Sequence, residues 1–147
     1  MKLEIIEKCR EELRAKKLNI SNEIEAVKDS MGSDTKSSAG DKYETGREMM
    51  NQERDKLQSQ LGVIDRQIES LNQIKTNKQF EKIDFGALVK TSMAHYFISI
   101  SYGKISVNNK DVFLVSAVTP LAQLMMGKKA GDKVNWNGKD ILIEEIN

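Results

Sequence analysis

Two long segments carry apolar residues at spacings of three and four, and this repeat restricts the fold more than any other feature of the chain. Such spacing places the side chains along one face of a helix. Both segments precede Pro120, the single proline, so no proline interrupts either helix. The seam residues are Ile6, Cys9, Leu13, Ile20, Ile24, Val27 and Met31, then Met50, Leu57, Leu61, Ile64, Ile68 and Leu71. The two stripes predict an antiparallel coiled-coil hairpin over residues 1–78.

A hairpin of this kind is narrow. Residues 3–31 would extend about 43 Å as a helix, and a pair of such helices is too thin to enclose an active site. Its ordinary uses are dimerisation and spacing. Cys9 is expected to be a small core residue of the seam. Arg54 occupies the one polar seam position of the second segment, where it either sets the register or extends to the surface.

The polar connector between the two segments is the predicted tip of the hairpin, near residues 32–44. Its candidate functional residues are the carboxylates Asp34, Asp41 and Glu44, with Lys42 and Tyr43 beside them. Ser38 and Asp41 fit the spacing of a capping box, which would explain one carboxylate by helix capping alone. Carboxylates at an exposed tip could instead complete a Mg²⁺ site that belongs to another protein. From the residues alone, both interpretations stay open.

After residue 78 the helical repeat stops, and residues 83–147 are predicted to form a second domain. Runs rich in β-branched and aromatic residues predict strands at 87–91, 95–102 and 110–118. Asn108-Asn109 indicates a turn, and Asn137-Gly138 indicates a hairpin between strands 133–136 and 140–146. Pro120 is expected to open a short helix at 121–126 that ends at Gly127. The chain is therefore predicted to be α+β, with a twisted antiparallel sheet and one packed helix after the hairpin.

Charge and cysteine content exclude several classes of function. The 23 Lys and Arg nearly balance the 22 Asp and Glu, and neither half has the basic surplus that direct binding to nucleic acid requires. Any link to nucleic acid is therefore expected through a protein partner.

A single cysteine excludes an intramolecular disulfide, and the sequence offers no cluster of cysteine and histidine for zinc. The N-terminal residues carry charges throughout, and no apolar run is long enough to span a membrane. These features predict a cytoplasmic protein without a membrane partner.

The sequence shows no catalytic constellation. His95 is the one histidine and has no obvious nucleophile beside it. The loops lack the glycine signature of a phosphate-binding loop. We therefore expect no enzyme activity and no cofactor of the protein's own.

The run VSAVTPLAQLMMGKKAGDKV, residues 115–134, resembles the C-terminal signature of the bacterial Gre-type transcript cleavage factors. In that family a strand ending in Ser-Pro leads to a small apolar helix, then to Gly-Lys and Gly-Asp-x-Val. Here Thr119 replaces the serine before Pro120. Residues 85–89, FGALV, resemble the family's domain-opening Phe-Gly-x-x-Val. The order of these motifs agrees with the family across residues 83–147, and a helical hairpin precedes the domain in both.

The resemblance implies an FKBP-like C-terminal domain that binds at the rim of the RNA polymerase secondary channel, with the hairpin entering the channel. The tip residues Asp34, Asp41 and Glu44 would then act in trans, helping to hold a second Mg²⁺ and to position water. The polymerase's own active centre would hydrolyse backtracked RNA. The residues expected to contact the polymerase are Lys42, Tyr43, Arg47, Thr119, Pro120, Gly127 and Asp132.

The tip departs from the family motif, which is close to Gly-Asp-x-x-Glu-Asn-x-Glu-Tyr. Aligned on Tyr43, Lys36 and Ala39 stand where the first two acidic residues belong. Aligned on Asp34, the aspartate is kept but Ser37 takes the glutamate position. Either the longer tip presents Asp34 with another carboxylate by a different path, or the protein occupies the channel without promoting cleavage.

Three functions follow from these observations. The first is a Gre-type elongation factor with RNA polymerase as partner and Mg²⁺ only in the polymerase active centre. The second is a non-cleaving regulator of the secondary channel on the same scaffold. The third is a coiled-coil interaction module or FKBP-like chaperone unrelated to transcription. A stable homodimer through the arms would favour the third, whereas the first two expect a monomer.

Overall fold

The computed structural model describes residues 1–34 and 40–147, and it describes side chains for residues 1–30 and 45–147. Two long helices come first, α1 (Lys2–Asp34) and α2 (Gly40–Asn72). A six-stranded sheet and a short helix follow, in the order β1 (Leu88–Thr91), β2 (His95–Ser99), β3 (Gly103–Val107), β4 (Lys110–Ser116), α3 (Pro120–Met125), β5 (Lys133–Trp136) and β6 (Lys139–Ile146). The predicted α+β class and the predicted order of helices before strands are confirmed.

The chain divides into two compact units. One unit is Glu11–Ile68, the larger part of the two long helices. The other joins Met1–Arg10 and Glu69–Asn147, so it holds the sheet together with the first turns of α1 and the last turn of α2. The domain boundary drawn from sequence, between residues 78 and 83, marks a change of pattern and stays a prediction.

In the helical unit, α1 and α2 lie side by side and run in opposite directions. The Lys17 ammonium of α1 is 2.6 Å from the Asp65 carboxylate of α2, while residues 26–30 line one groove with residues 46–53. The predicted seam is buried at Leu13, Ile20, Ile24, Leu57 and Ile64 and half-buried at Val27, Met50, Leu61 and Ile68. Arg54 is half-exposed, and its guanidinium lies 3.8 Å from the Asp55 carboxylate. Whether Arg54 sets the register or extends to the surface stays a prediction. Coiled-coil geometry stays a prediction.

The sheet is mixed, which corrects the expected antiparallel sheet. Its strand order is β3-β4-β2-β1-β6-β5, and β2 pairs with β4 in parallel. The predicted strand 95–102 ends early, at Ser99, and a separate strand β3 follows at Gly103–Val107. Because β3 and β4 form a hairpin and β4 inserts beside β2, the chain reverses twice between the two strands and pairs them in parallel.

Both faces of the central strands are buried. On one face, Val89 and Ile98 belong to a cluster with Ala122 and Met125 of α3. On the other face lie Leu88 and Phe97, which are paired across β1 and β2 and also buried. In the same unit, α1 contacts the β3–β4 hairpin, since Lys8 donates to the Ser106 carbonyl at 2.5 Å. A second bond, from the Asn108 amide to the Glu4 carboxylate, measures 2.6 Å.

The predicted turns are found where the sequence places them. Asn108 and Asn109 have φ of 52° and 63°, and Asn137 and Gly138 have φ of 52° and 80°. Two consecutive positive φ values belong to the turn type that suits a two-residue hairpin. Gly127 has φ of 78° just after α3, so it ends that helix as predicted.

Gly86 has a backbone conformation that favours glycine. Its φ is +92°, and its amide donates to the Ile98 carbonyl at 2.7 Å, which extends the β1–β2 pairing. A Cβ there would lie 3.4 Å from Phe80 Cζ and 3.5 Å from Ile74 Cγ2. Both distances are ordinary van der Waals contacts, so the glycine of the FGALV motif is explained by its backbone conformation.

We predict that Gly86→Ala lowers the free energy of unfolding by about 1–3 kcal/mol, because alanine resists this backbone conformation. Gly62→Ala is the matched control. Gly62 lies inside α2, and a Cβ there meets only the flexible Arg66 side-chain end at 3.4 Å. The control should raise stability by about 0.5–1 kcal/mol. Urea denaturation followed by circular dichroism measures both, and equal effects would contradict the strain at Gly86.

Candidate partner-binding surface

Residues 115–134, the signature segment, run from the end of β4 through α3 into β5. Thr119 and Pro120 shape its first turn. The Thr119 hydroxyl donates to the Ser116 carbonyl at 2.8 Å, so it closes the turn before the helix. The Thr119 carbonyl accepts from the Gln123 amide at 2.9 Å, the first bond of α3. Pro120 occupies the first helical turn, where its missing N–H costs nothing.

Gly127 joins the end of α3 to the chain that precedes β1. The Gly127 amide donates to the Ile83 carbonyl at 2.8 Å, and the Ile83 amide donates to the Lys128 carbonyl at 2.9 Å. This pair of bonds holds residues 127–128 beside Ile83, whose side chain is buried in the α3 cluster. The positive φ of Gly127 lets the chain leave the helix in the direction that both bonds require.

Asp132 holds the turn that leads into β5. Its carboxylate accepts from the Lys129 amide at 2.8 Å, and its own amide donates to the Lys129 carbonyl at 3.0 Å. The Asp132 carbonyl accepts from the Ile143 amide at 2.8 Å. Gly131 donates to the Ile143 carbonyl at 2.7 Å, so the turn is attached to β6 on both sides.

Four of the residues predicted to contact a partner therefore determine the backbone of one segment. These residues are Thr119, Pro120, Gly127 and Asp132. Their direct contact with a partner stays a prediction. The segment they shape presents exposed side chains of two kinds. We call Val118, Leu124, Lys128 and Lys129 the α3 surface.

The α3 surface combines apolar area with positive charge. Val118 is 81% exposed and Leu124 is 40% exposed, whereas Ala122 and Met125 on the same short helix are fully buried. Lys128 and Lys129 are exposed just after the helix. Burying a valine or leucine side chain is worth about 1.5–3 kcal/mol, so these side chains suit a protein surface with an apolar pocket and acidic neighbours.

Sequence reasoning missed Val118 and Leu124. The segment PLAQLM is apolar except at Gln123, so no periodicity separates the exposed Leu124 from the buried Met125. A helix this short lacks the several turns that a hydrophobic period needs. The one available signal was the position of Val118, directly before the turn at Thr119-Pro120.

The tip residues lie at the facing ends of the two long helices. Asp34 is the last residue of α1, and Asp41, Lys42, Tyr43 and Glu44 lie in the first turns of α2. Their side chains fall outside the described residues, as does Ser38, the proposed cap. Arg47 is exposed on α2.

Among the described residues, no group of three or more His, Cys, Asp or Glu side chains is arranged to hold a metal ion. None of the described helices combines the length and the apolar character needed to cross a bilayer.

No protein-family model matches the chain, and a search of curated proteins finds no significant relative. Solved structures do match. The crystal structure of GreA factor homolog 1 (Gfh1) of Thermus thermophilus matches 94% of this chain and 94% of its own, at 14% identity and a TM-score of 0.37. A structure described as the transcription factor Gfh1 matches 93% of this chain and 92% of its own, at 15% identity and a TM-score of 0.37.

The chain is similar to a Gre-factor homologue.

We predict that Thr119→Val lowers the free energy of unfolding by about 1 kcal/mol, because it removes the hydroxyl bond to the Ser116 carbonyl. Thr119→Ser keeps the hydroxyl and should stay within about 0.5 kcal/mol of the wild type. Thermal unfolding compares the two variants. Equal loss in both would mean that the methyl group, and not the hydrogen bond, stabilises the turn.

Proposed function

We propose that the protein is an RNA polymerase-binding transcription elongation factor of Gre type, which inserts its helix pair into the secondary channel. One observation carries the proposal. The signature residues Thr119, Pro120, Gly127 and Asp132 all determine the backbone of a single segment, and that segment exposes Val118 at 81%. A motif whose residues shape one exposed surface supports a docking role for that surface.

The α3 surface would provide the docking contact. Val118 and Leu124 supply the apolar area, and Lys128 and Lys129 supply charge at its side. In such contacts a few buried apolar side chains give most of the affinity, whereas peripheral charges mainly guide association. The partner that fits is a folded protein with an apolar pocket and nearby carboxylates, which we assign to the polymerase.

The helix pair would provide the contact inside the channel. Asp34 closes α1 and Asp41 and Glu44 open α2, so these three carboxylate-bearing positions flank the same short connection. Mg²⁺ in the polymerase active centre would supply the hydrolytic chemistry, and the tip carboxylates would supply additional oxygen ligands. The protein itself would be neither an enzyme nor the owner of a cofactor, and it would act in the cytoplasm as a monomer.

A non-cleaving regulator of the same channel is the second candidate. This chain lacks acidic residues at positions where the family motif has them. Aligned on Tyr43, these positions are Lys36 and Ala39; aligned on Asp34, the glutamate position is Ser37. A tip without the usual carboxylate pair could occupy the channel and still leave RNA intact. The binding surface is the same for both candidates, so the two differ only in what the tip does.

We predict that the wild type binds cognate core RNA polymerase and that Val118→Asp weakens binding at least about tenfold, since a buried charge replaces apolar contact worth over 1 kcal/mol. Met93→Asp is the matched control, because Met93 is 54% exposed in the same unit but lies outside the signature segment. Fluorescence anisotropy of labelled protein measures both. Absence of wild-type binding at micromolar concentration and low salt would overturn the proposal, and a stable homodimer in sedimentation would favour the interaction module instead.

We predict that the wild type shortens RNA in backtracked complexes with Mg²⁺, and that Asp34→Ala, Asp41→Ala or Glu44→Ala reduces cleavage without reducing binding. Glu23→Ala, a change of an exposed carboxylate elsewhere on α1, is the control and should have no effect. Gel analysis of end-labelled RNA gives the readout. Full-length RNA with undiminished polymerase binding would identify the non-cleaving regulator.

A further inference from the structure

Two lysine ammonium groups lie over the same aromatic ring. Lys2 Nζ is 4.6 Å from the centroid of Phe80, and Lys78 Nζ is 4.8 Å from it. The ring attracts each cation, yet the two like charges repel one another. Lys2 also donates a long hydrogen bond, 3.4 Å, to the Lys78 carbonyl. The arrangement therefore places two positive charges against a single aromatic ring.

Lys2 is buried without a countercharge. It is only 7% exposed, and among the described residues no carboxylate lies within ion-pair distance of Lys2 or Lys78. Burial first, and then the charge of Lys78, lower the pKa of the Lys2 ammonium. A buried lysine is normally paired, because removing a charge from water costs free energy. A negative group placed between the two lysines would relieve both penalties.

The two lysines line an open cavity of about 560 Å³. Its wall also offers the hydroxyl and amide groups of Thr76, Asn77 and Gln79 as hydrogen-bond donors. A second cavity of about 280 Å³ adjoins it, since Leu88 lines both. The described residues lining the second cavity include three basic side chains, Lys90, His95 and Lys110, and one acidic side chain, Glu145.

The sheet register explains why these basic residues converge. Lys90 pairs with His95 across β1 and β2, so both point to the same face. His95 pairs with Val112 of β4, and Lys110 lies two residues before Val112, which places Lys110 on that face as well. Residues distant in sequence are thus brought to one side of the sheet, the side that also carries Leu88.

We propose that this cleft, formed by Lys2, Lys78, Lys90, His95 and Lys110, binds an extended phosphate-bearing anion. Lysine binds phosphate as a point charge, and the hydroxyl and amide groups beside Lys78 supply further donors. Two adjoining cavities, each with basic side chains, suit a chain of two or three phosphates better than a single one. The net charge of the whole chain is only +1, so this is a local site and not a general attraction to anions.

The proposal is independent of the polymerase. It concerns a cleft of the sheet unit, and it is tested with the full-length protein alone. A protein that fails to bind polymerase could still bind the anion in this cleft. A protein that fails to bind the anion could still be an elongation factor.

The experiment is calorimetric titration with inorganic phosphate, tripolyphosphate and ATP, each without divalent metal, at about 0.1 M salt, where the Debye length is about 10 Å. We expect saturable one-to-one binding of tripolyphosphate, and about tenfold weaker binding by Lys78→Gln, which loses a charge-assisted contact. Lys78 is exposed, so the variant should fold. Lys139→Gln is the control, since Lys139 is exposed and about 20 Å along β6 from Glu145.

The ligand comparison identifies the recognised group. Equal affinity for tripolyphosphate and ATP would support recognition of the phosphate chain alone, and tighter ATP binding would support a nucleotide. Lys110→Gln should weaken tripolyphosphate binding more than binding of inorganic phosphate. No saturable binding by the wild type, or unchanged binding by Lys78→Gln, would overturn the site.

Thermal unfolding gives a second readout. Lys2→Met should raise the melting temperature without ligand, because it removes an uncompensated buried charge, and it should abolish the upward shift that tripolyphosphate gives the wild type. A variant that is more stable yet insensitive to the anion distinguishes a binding site from a structural lysine. A tripolyphosphate shift that survives in Lys2→Met would contradict the proposal.

Discussion

Burial of the central strands on both faces is the constraint on which the sheet unit depends. Phe97 and Ile98 are neighbours on β2 that point to opposite faces, and both are fully buried. Helix α3 covers the face of Ile98 with Ala122 and Met125. The first turns of α1, attached through Lys8 and Glu4, belong to the same unit as the face of Phe97. A sheet buried on both faces needs a cover on each side, and the sheet unit includes residues 1–10 as well as residues 69–147.

The same constraint shapes the candidate docking surface. Ala122 and Met125 face the core and Leu121 packs against it, whereas Leu124 lies on the exposed side of the short helix. Backbone hydrogen bonds attach residues 127–128 to Ile83 and residues 131–132 to Ile143, so the second half of the signature segment is fixed to the sheet unit. The motif residues therefore act through the backbone. Side chains that are not part of the motif's distinctive pattern, Val118 above all, provide the exposed surface.

The proposed anion cleft has a related origin. Lys2 lies at the start of α1, where it is buried against Phe80, and Lys78 follows the end of α2. Bringing the two helix ends to the sheet unit places two like charges on one ring. An apolar side chain in place of Lys2 would avoid this repulsion. A buried charge without a countercharge beside a cavity weakens the unliganded fold, and a bound anion would offset that cost.

Much of the architecture was predictable from the sequence, because it follows from local patterns. The helical repeat identified α1 and α2, the asparagine and glycine pairs located both hairpin turns, and Thr119-Pro120 with Gly127 bounded α3. Local pattern could not separate β3 from β2, since Ile100 continues the apolar run of β2 and remains buried. It also could not reveal the parallel pairing of β2 with β4, which depends on where the β3–β4 hairpin inserts. Tertiary structure alone decided that Val118 is exposed. It also decided that Lys2 lies near Lys78, and that His95 lies near Lys90 and Lys110. Contacts between residues far apart in the chain arise from packing, and spacing along one segment carries no information about them.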